Sequence, residues 1–229
     1  IAMDTGAAAT KAVANMVLID GQFSSLPSVV AEGRKVIANI ERVSRLFLTK
    51  TTWSMLLTIV FGVLMWTFPY LPRQLSLIDG FTIGLPAFAL ALLPNPKRYE
   101  AGFLKRSLWF CVPAGIWIGL AVITLSALMK ADGSWSASAA QTATSVLMGV
   151  TGVWILTLLS RPLDKWRSII LAVMVVLAAL EFLLPIVQWY CGWVYLTPTQ
   201  LLTALSFAFL ANALISLTNL VIENLRKRA

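Results

Sequence analysis

The residues of this chain whose types and spacing could do chemistry cluster between Thr51 and Pro86. Asp79 stands inside a long hydrophobic run, and Thr82 follows one turn later along the same helical face. Pro86 has no N–H, so the carbonyl of Thr82, four residues earlier, loses its helical donor. Gly80 and Gly84 loosen that turn further. A freed carbonyl, a hydroxyl and a carboxylate are hard oxygen ligands, the set that calcium or another hard cation takes. In the preceding run Thr51, Ser54 and Thr58 recur at three- and four-residue steps, which aligns three hydroxyls on one helix face. Asp79 is therefore the candidate metal ligand. Thr82, Ser54, Thr51 and Thr58 are the candidate cation path around it, with Pro86, Gly84 and Gly80 as the helix break. Plainer readings exist for each. Hydroxyls in apolar helices commonly bond the carbonyl one turn back or join helices together, and Asp79 could reach an outer interface and pair with Arg73. A carboxylate in lipid costs ~2.5–3.5 kcal/mol even on insertion scales, so Asp79 needs a partner or a purpose.

The elements that must position these groups are membrane helices. Of 229 residues, 59% are apolar and 12% charged, against roughly 45–50% and 25% in soluble domains. Hydrophobic runs fall at residues 52–70, 75–93, 108–129, 141–159, 169–190 and 201–222, each near the ~20 residues that span a bilayer as helix. They are too long for barrel strands, and lipid offers the backbone no hydrogen-bond partner, so six transmembrane helices are expected. Of the 18 basic residues all but Arg73 and Lys130 fall on one side of these runs, which puts both termini in the cytoplasm. The net charge of +8 is thereby a topology signal and at most an anionic-lipid contact; nucleic acid is not an expected partner. Trp53, Trp109 and Trp166 on the inner side, and Trp66, Trp135, Trp189 and Trp193 on the outer, read as interfacial anchors. Cys111 and Cys191 fall on opposite sides and cannot pair. No signal peptide is visible.

Several other chemistries drop out. Asp4-Thr5-Gly6 spells an aspartic-protease triplet without the second carboxylate that chemistry requires. Residues 6–11 lack the second glycine of a phosphate loop. With no histidine and two separated cysteines, histidine triads and thiol or imidazole metal sites are excluded.

The first fifty residues carry a resemblance. Ile1-Ala2-Met3, the turn at Asp4-Thr5-Gly6, the Ala-rich stretch to Ala14, Val17-Leu18-Ile19-Asp20 and Glu32-Gly33-Arg34 follow one another in fixed order. That order resembles the end of the phosphorylation domain of P-type ATPases and the stalk of their fifth transmembrane helix, with Asp4 in place of the first glycine of the turn. Phe47-Leu48-Thr49-Lys50-Thr51, Gly84-Leu85-Pro86 and Pro94-Asn95-Pro96-Lys97-Arg98-Tyr99 are similar to the bacterial, calcium-pump-like E-type branch. Six helices after the phosphorylation domain fit the ten-helix pumps and not the heavy-metal branch. The resemblance implies a mostly α polytopic membrane protein whose six helices are family helices five to ten. Residues 1–30 would be a short α/β remnant of the HAD-like phosphorylation domain, 31–50 a stalk and 51–229 the transmembrane domain.

It further implies a monomeric ATP-driven cation translocase of the bacterial plasma membrane, moving calcium or another hard cation. The phosphorylated Asp motif, Asp-Lys-Thr-Gly-Thr, and the Mg2+ motif are not in this sequence, so ATP and Mg2+ would bind in a missing N-terminal portion and this stretch alone would be inactive. Aligned on Glu32-Gly33-Arg34, Ser54 stands where calcium pumps place a carboxylate. Aligned on Gly84-Leu85-Pro86, Asp79 stands where they have Asn, and Ile83 where they have Asp. The carboxylate inventory is thus reduced and shifted. Glu181, inside the fifth run, reads as a structural contact, and Asn212, Ser216 and Asn219 as bonds between helices. The alternative function is a non-catalytic multi-pass membrane protein, a pump remnant or separately encoded half that binds a partner. A secondary transporter would need an internal repeat, and none is visible.

Overall fold

The parallel pairing of two very short strands is all the sheet that the computed structural model contains among the described residues, which are 1–19, 22–93 and 102–228. The rest is mostly helix, 81% of the described residues. Two compact units are present: Ile1–Ala38 belongs to the first, and Asn39–Leu93 with the described residues from 102 onward to the second.

In the first unit β1 (Ala2–Met3) lies parallel to β2 (Val17–Leu18), with Ala2 opposite Val17 and Met3 opposite Leu18. Parallel strands need a crossover, and α1 (Ala8–Val13), rich in the best helix former, supplies it. The turn between them is tight: Gly6 N–H donates to the Met3 carbonyl at 2.9 Å, and a Cβ at Gly6 would sit 3.0 Å from that oxygen. Asp4, the departure in that turn, keeps its N–H on the Leu18 carbonyl (3.0 Å) and sends its carboxylate to Lys11 (2.8 Å). Val13 and Ile19 are each 83% exposed.

α2 (Leu26–Val63) starts with Pro27 in its first turn, where a missing N–H removes no helical bond. Its end corrects the expected first run of 52–70. The helix stops at Val63, Met65 takes a positive φ of 51°, and the chain returns along α2 without helix. The Tyr70 ring meets Trp53 edge-on with centroids 6.2 Å apart, and Trp66 meets Phe61 at 5.8 Å. Burial, and after it the negative charge of Asp79, pushes the Tyr70 phenol above its ordinary pKa.

Span two is broken: α3 (Pro72–Asp79), a π-helical turn at Gly80–Gly84, and α4 (Leu85–Ala91). α5 (Phe103–Asp132) and α6 (Ala137–Leu159) follow, the latter capped by Ser136, which accepts from Ala139 N–H. The fifth run, expected as one span over 169–190, is two helices. α7 (Lys165–Leu183) is capped by Asp164 and ends before Pro185, which cannot continue it and opens α8 (Pro185–Cys191). α9 (Pro198–Arg228) closes the chain. Among the described residues six helical stretches are long and apolar enough to cross a membrane: Phe23–Val63, Pro72–Ala91, Phe103–Asp132, Ala137–Leu159, Lys165–Leu183 and Pro198–Leu225.

Lipid gives no hydrophobic drive between helices, so close packing by small residues has to hold them together. α9 packs on α5 and α6, and buries Ala204, Ala208, Ala211 and Ile215, spaced four, three and four apart. α5 brings Gly115 and Gly119 against α2: a Cβ there would lie 2.5 Å from the Thr52 Cβ and 2.6 Å from the Leu56 Cδ2. Indole N–H groups bridge helices, Trp117 to Thr218 and Trp154 to Ser216, each at 3.0 Å. Ser216 therefore joins helices as expected, whereas Asn219 donates within its own helix to Glu223. Trp53 and Trp193 are 6% and 5% exposed, so they are core residues rather than interfacial anchors. Trp193 stacks on Phe182 at 4.3 Å and donates to Ser145. Two buried polar side chains of α2 reach the last carbonyls of other helices, Asn39 to Ala91 O at 2.9 Å and Arg42 to Leu159 O at 3.2 Å.

Candidate functional site

Pro86 shapes the helix before it. Its ring cannot donate to Thr82 and displaces the backbone one turn earlier, and the chain answers with a π turn: Leu85 N–H bonds the carbonyl of Gly80, five residues back. The break read from Gly80, Gly84 and Pro86 thus takes the form of a wide turn, with Asp79 at its N-terminal edge and Thr82 inside it. Gly152 of α6 makes the space: a Cβ there would lie 2.8 Å from the Thr82 methyl and 3.2 Å from its hydroxyl oxygen.

Asp79 faces α2, where its carboxylate accepts from the Lys50 ammonium. The pair sits at a cavity of about 40 Å³ whose polar wall is Thr49, Lys50, Asp79, Thr82 and Thr151, closed on its apolar side by Trp53 and its neighbours. That space, left beside the Lys50 side chain, is enough for a bare ion or for water. Thr49, Thr82 and Thr151 each donate backwards, to Arg45 O (2.8 Å), Ile78 O (2.8 Å) and Leu147 O (2.9 Å). With the proton directed at the helix, the oxygen lone pairs stay free to accept or to ligate.

The structure brings Asp79 and Thr82 together and leaves the expected hydroxyl stripe outside. Thr51 and Thr58 are exposed and bond Phe47 O (3.0 Å) and Ser54 O (2.8 Å) of their own helix, Ser54 is half-buried, and none of the three lines the cavity. The stripe that does line it, Leu46, Thr49, Lys50 and Trp53, has the same spacing on an adjacent face. Arg73 is not the partner of Asp79; its guanidinium lies near Gly192, 3.3 Å from where a Cβ would be. Lys50 was hidden in the sequence because it ends a run of basic residues that reads as topology alone. Glu181, 3% exposed, has no hydrogen-bond partner on either oxygen among the described residues. Among the described residues no three acidic, histidine or cysteine side chains gather to hold a metal, so a cation here would rely on one carboxylate plus neutral oxygens.

Six apolar helices, one of them opened by a π turn beside a carboxylate inside the bundle, define a polytopic helical membrane protein. No family model matches the chain. It is 39% identical over 202 residues to the "Calcium-transporting ATPase CtpE" of Mycolicibacterium smegmatis, covering 82% of this chain and 25% of that protein. To the protein of the same name in Mycobacterium bovis it is 41% identical over 180 residues, 73% of this chain and 23% of the relative. The "Probable cation-transporting ATPase exp7" of Streptococcus pneumoniae is 31% identical over 179 residues, 75% of this chain and 23% of its own length. The chain therefore belongs with the P-type cation-transporting ATPases of bacteria, and it spans about a quarter of the length of these relatives.

Proposed function

We propose that the chain is the membrane portion of an ATP-driven pump for calcium or another hard cation, with Asp79 and Thr82 in the cation's path. The observation that carries this reading is the position of Asp79. A carboxylate that is costly inside a membrane helix stands at the edge of a π turn and on the wall of a small, mainly apolar cavity between helices that three threonines also line. Thr49 and Thr151 join it as neutral oxygen ligands, and the Thr82 carbonyl that Pro86 cannot serve adds a further one. The names of the relatives support calcium as cargo. ATP, Mg2+ and the phosphorylated aspartate belong to domains outside this chain, and the stretch alone is inactive. The basic loops face the cytoplasm of a bacterial cell, with both termini on that side. Phosphorylation is transmitted along residues 39–50 of α2 to the cavity, where it rearranges the ligands between the two membrane faces.

The test is Asp79→Asn in the full-length protein, reconstituted in vesicles. The substitution keeps shape and removes the charge, so the Ca2+ concentration for half-maximal ATPase stimulation should rise about tenfold or more, or stimulation should vanish. An unchanged Ca2+ dependence returns Asp79 to a structural ion pair.

A further inference from the structure

Lys130 departs from the pattern that orients this chain. It and Arg73 are the two basic residues on the side away from the basic loops, where topology asks for no cation. It stands exposed at the far end of α5, with its ammonium 4.8 Å from the centre of the Trp66 ring. Among the described residues no carboxylate pairs with it; Asp132, two residues on, accepts from Ser134 instead. With that side chain in place, a cavity of about 380 Å³ remains beside it, within the roughly 300–1,000 Å³ of small-molecule sites. One wall is α5, with Ser126 and Lys130 four residues apart on one face. A second is the start of α6, with Ala137 and Gln141 spaced likewise, and the third is aromatic, Trp66 and Phe68 from the turn after α2. Thr124 of α5 donates to the carbonyl four residues back at 2.7 Å, as hydroxyls of apolar helices commonly do. The Ser126 oxygen is buried with no partner among the described residues, a costly state for a polar atom, and the open space on its side is this cavity.

None of the described wall residues is acidic, so the cavity carries one positive charge and takes an anion. The surface around it marks that anion as a lipid's. Val63, Leu64 and Met65, which join Phe61 to Trp66 in the chain, are exposed and apolar, and Trp135 on the wall is of the ring type enriched where membrane meets water. We infer that this cavity is a headgroup site for an anionic phospholipid: the phosphodiester meets Lys130, the glycerol sits towards Gln141, and the acyl chains leave over the exposed end of α2. A soluble phosphate gains the charge contact alone. The site belongs to the outer interface in the orientation drawn above, and nothing in it depends on the cation path. A lipid held there ties the turn after α2 to α5 and α6 at the membrane edge, and makes the stability of that end depend on lipid charge.

The experiment uses the full-length protein in detergent micelles with a photoreactive phosphatidylglycerol, and locates its cross-links by mass spectrometry. They should fall in residues 61–69 and 126–144. Excess unlabelled phosphatidylglycerol should remove them, whereas phosphatidylcholine with the same chains and soluble glycerol 3-phosphate should not. Lys130→Gln should cut the yield in these segments several-fold, and Lys130→Arg, which keeps the charge, should retain it. Ala137→Trp fills the cavity from an exposed position without touching the charge, and should remove the cross-links as well. Equal competition by phosphatidylcholine, or an unchanged yield in Lys130→Gln, means ordinary boundary lipid and overturns the inference. Competition by glycerol 3-phosphate means a site for soluble anions and overturns the lipid assignment. Should Lys130→Gln fail to fold, Ala137→Trp and the lipid competition decide alone.

Discussion

Gly152 of α6 and Thr82 of the π turn touch with no room for a methyl group between them: a Cβ on Gly152 would stand 2.8 Å from the Thr82 Cγ2 and 3.0 Å from its Cβ. Gly152→Ala should therefore push the turn away from α6. A cost of about 1–3 kcal/mol is expected for forcing a methyl into a closed contact. Thermal unfolding of the full-length protein should show a lower midpoint, and the Ca2+ dependence should shift with it, since Thr82 lines the cavity. A variant that matches the parent in both would mean that the contact is loose.

Pro86→Ala restores an N–H opposite the Thr82 carbonyl and removes the ring that enforces the π turn. The segment Gly80–Gly84 should tighten towards an α-helix, which rotates α3 against α4 and turns Asp79 off its line to Lys50. Stability should hold or improve while the Ca2+ requirement rises severalfold. Unaltered Ca2+ dependence in a stable variant would show that the π turn does not aim Asp79.

Glu181 is buried with neither oxygen hydrogen-bonded among the described residues, a condition that costs roughly 1–3 kcal/mol or more. Glu181→Met keeps the length and drops the polar group. The unfolding midpoint should rise and Ca2+ stimulation should stay as it was. Lost stimulation in a folded Glu181→Met protein would bring that carboxylate into the transport machinery.

Leu163 is 46% exposed in the loop before α7, and both native cysteines are buried and unpaired. Leu163→Cys should accordingly add a site that reacts with a membrane-impermeant maleimide in inside-out vesicles and not in intact cells, read against the parent protein. Reaction only from outside would invert the orientation drawn from the basic loops.

Much of this arrangement was legible before any coordinates. Six runs of suitable length gave the helices, and Pro86 with its two glycines marked the place where the second would open. Helical spacing gave the candidate hydroxyls too, but Thr51, Ser54 and Thr58 share a period with Leu46, Thr49, Lys50 and Trp53. A period fixes which residues share a face without telling which face is turned to a neighbour, and here the neighbour is the adjacent stripe. The fifth run misled because hydropathy cannot see that Pro185 ends α7 inside an unbroken apolar stretch. Gly152 was silent for a related reason: a glycine that admits Thr82 differs from any other until its partner is placed.

The bonds from Asn39 and Arg42 have a mechanical consequence. Each fills the open carbonyl at the end of a different helix, α4 through Ala91 and α6 through Leu159, so one rod terminates two others. Both side chains are 7% exposed, and a displacement of α2 by one helical pitch, ~5.4 Å, would strip both terminations in a place that water reaches poorly. Small displacements of α2 are thus handed on to α4 and α6 as a common drag, and large ones are forbidden until both latches release together. A push on this rod is thus resisted at two helix ends at once.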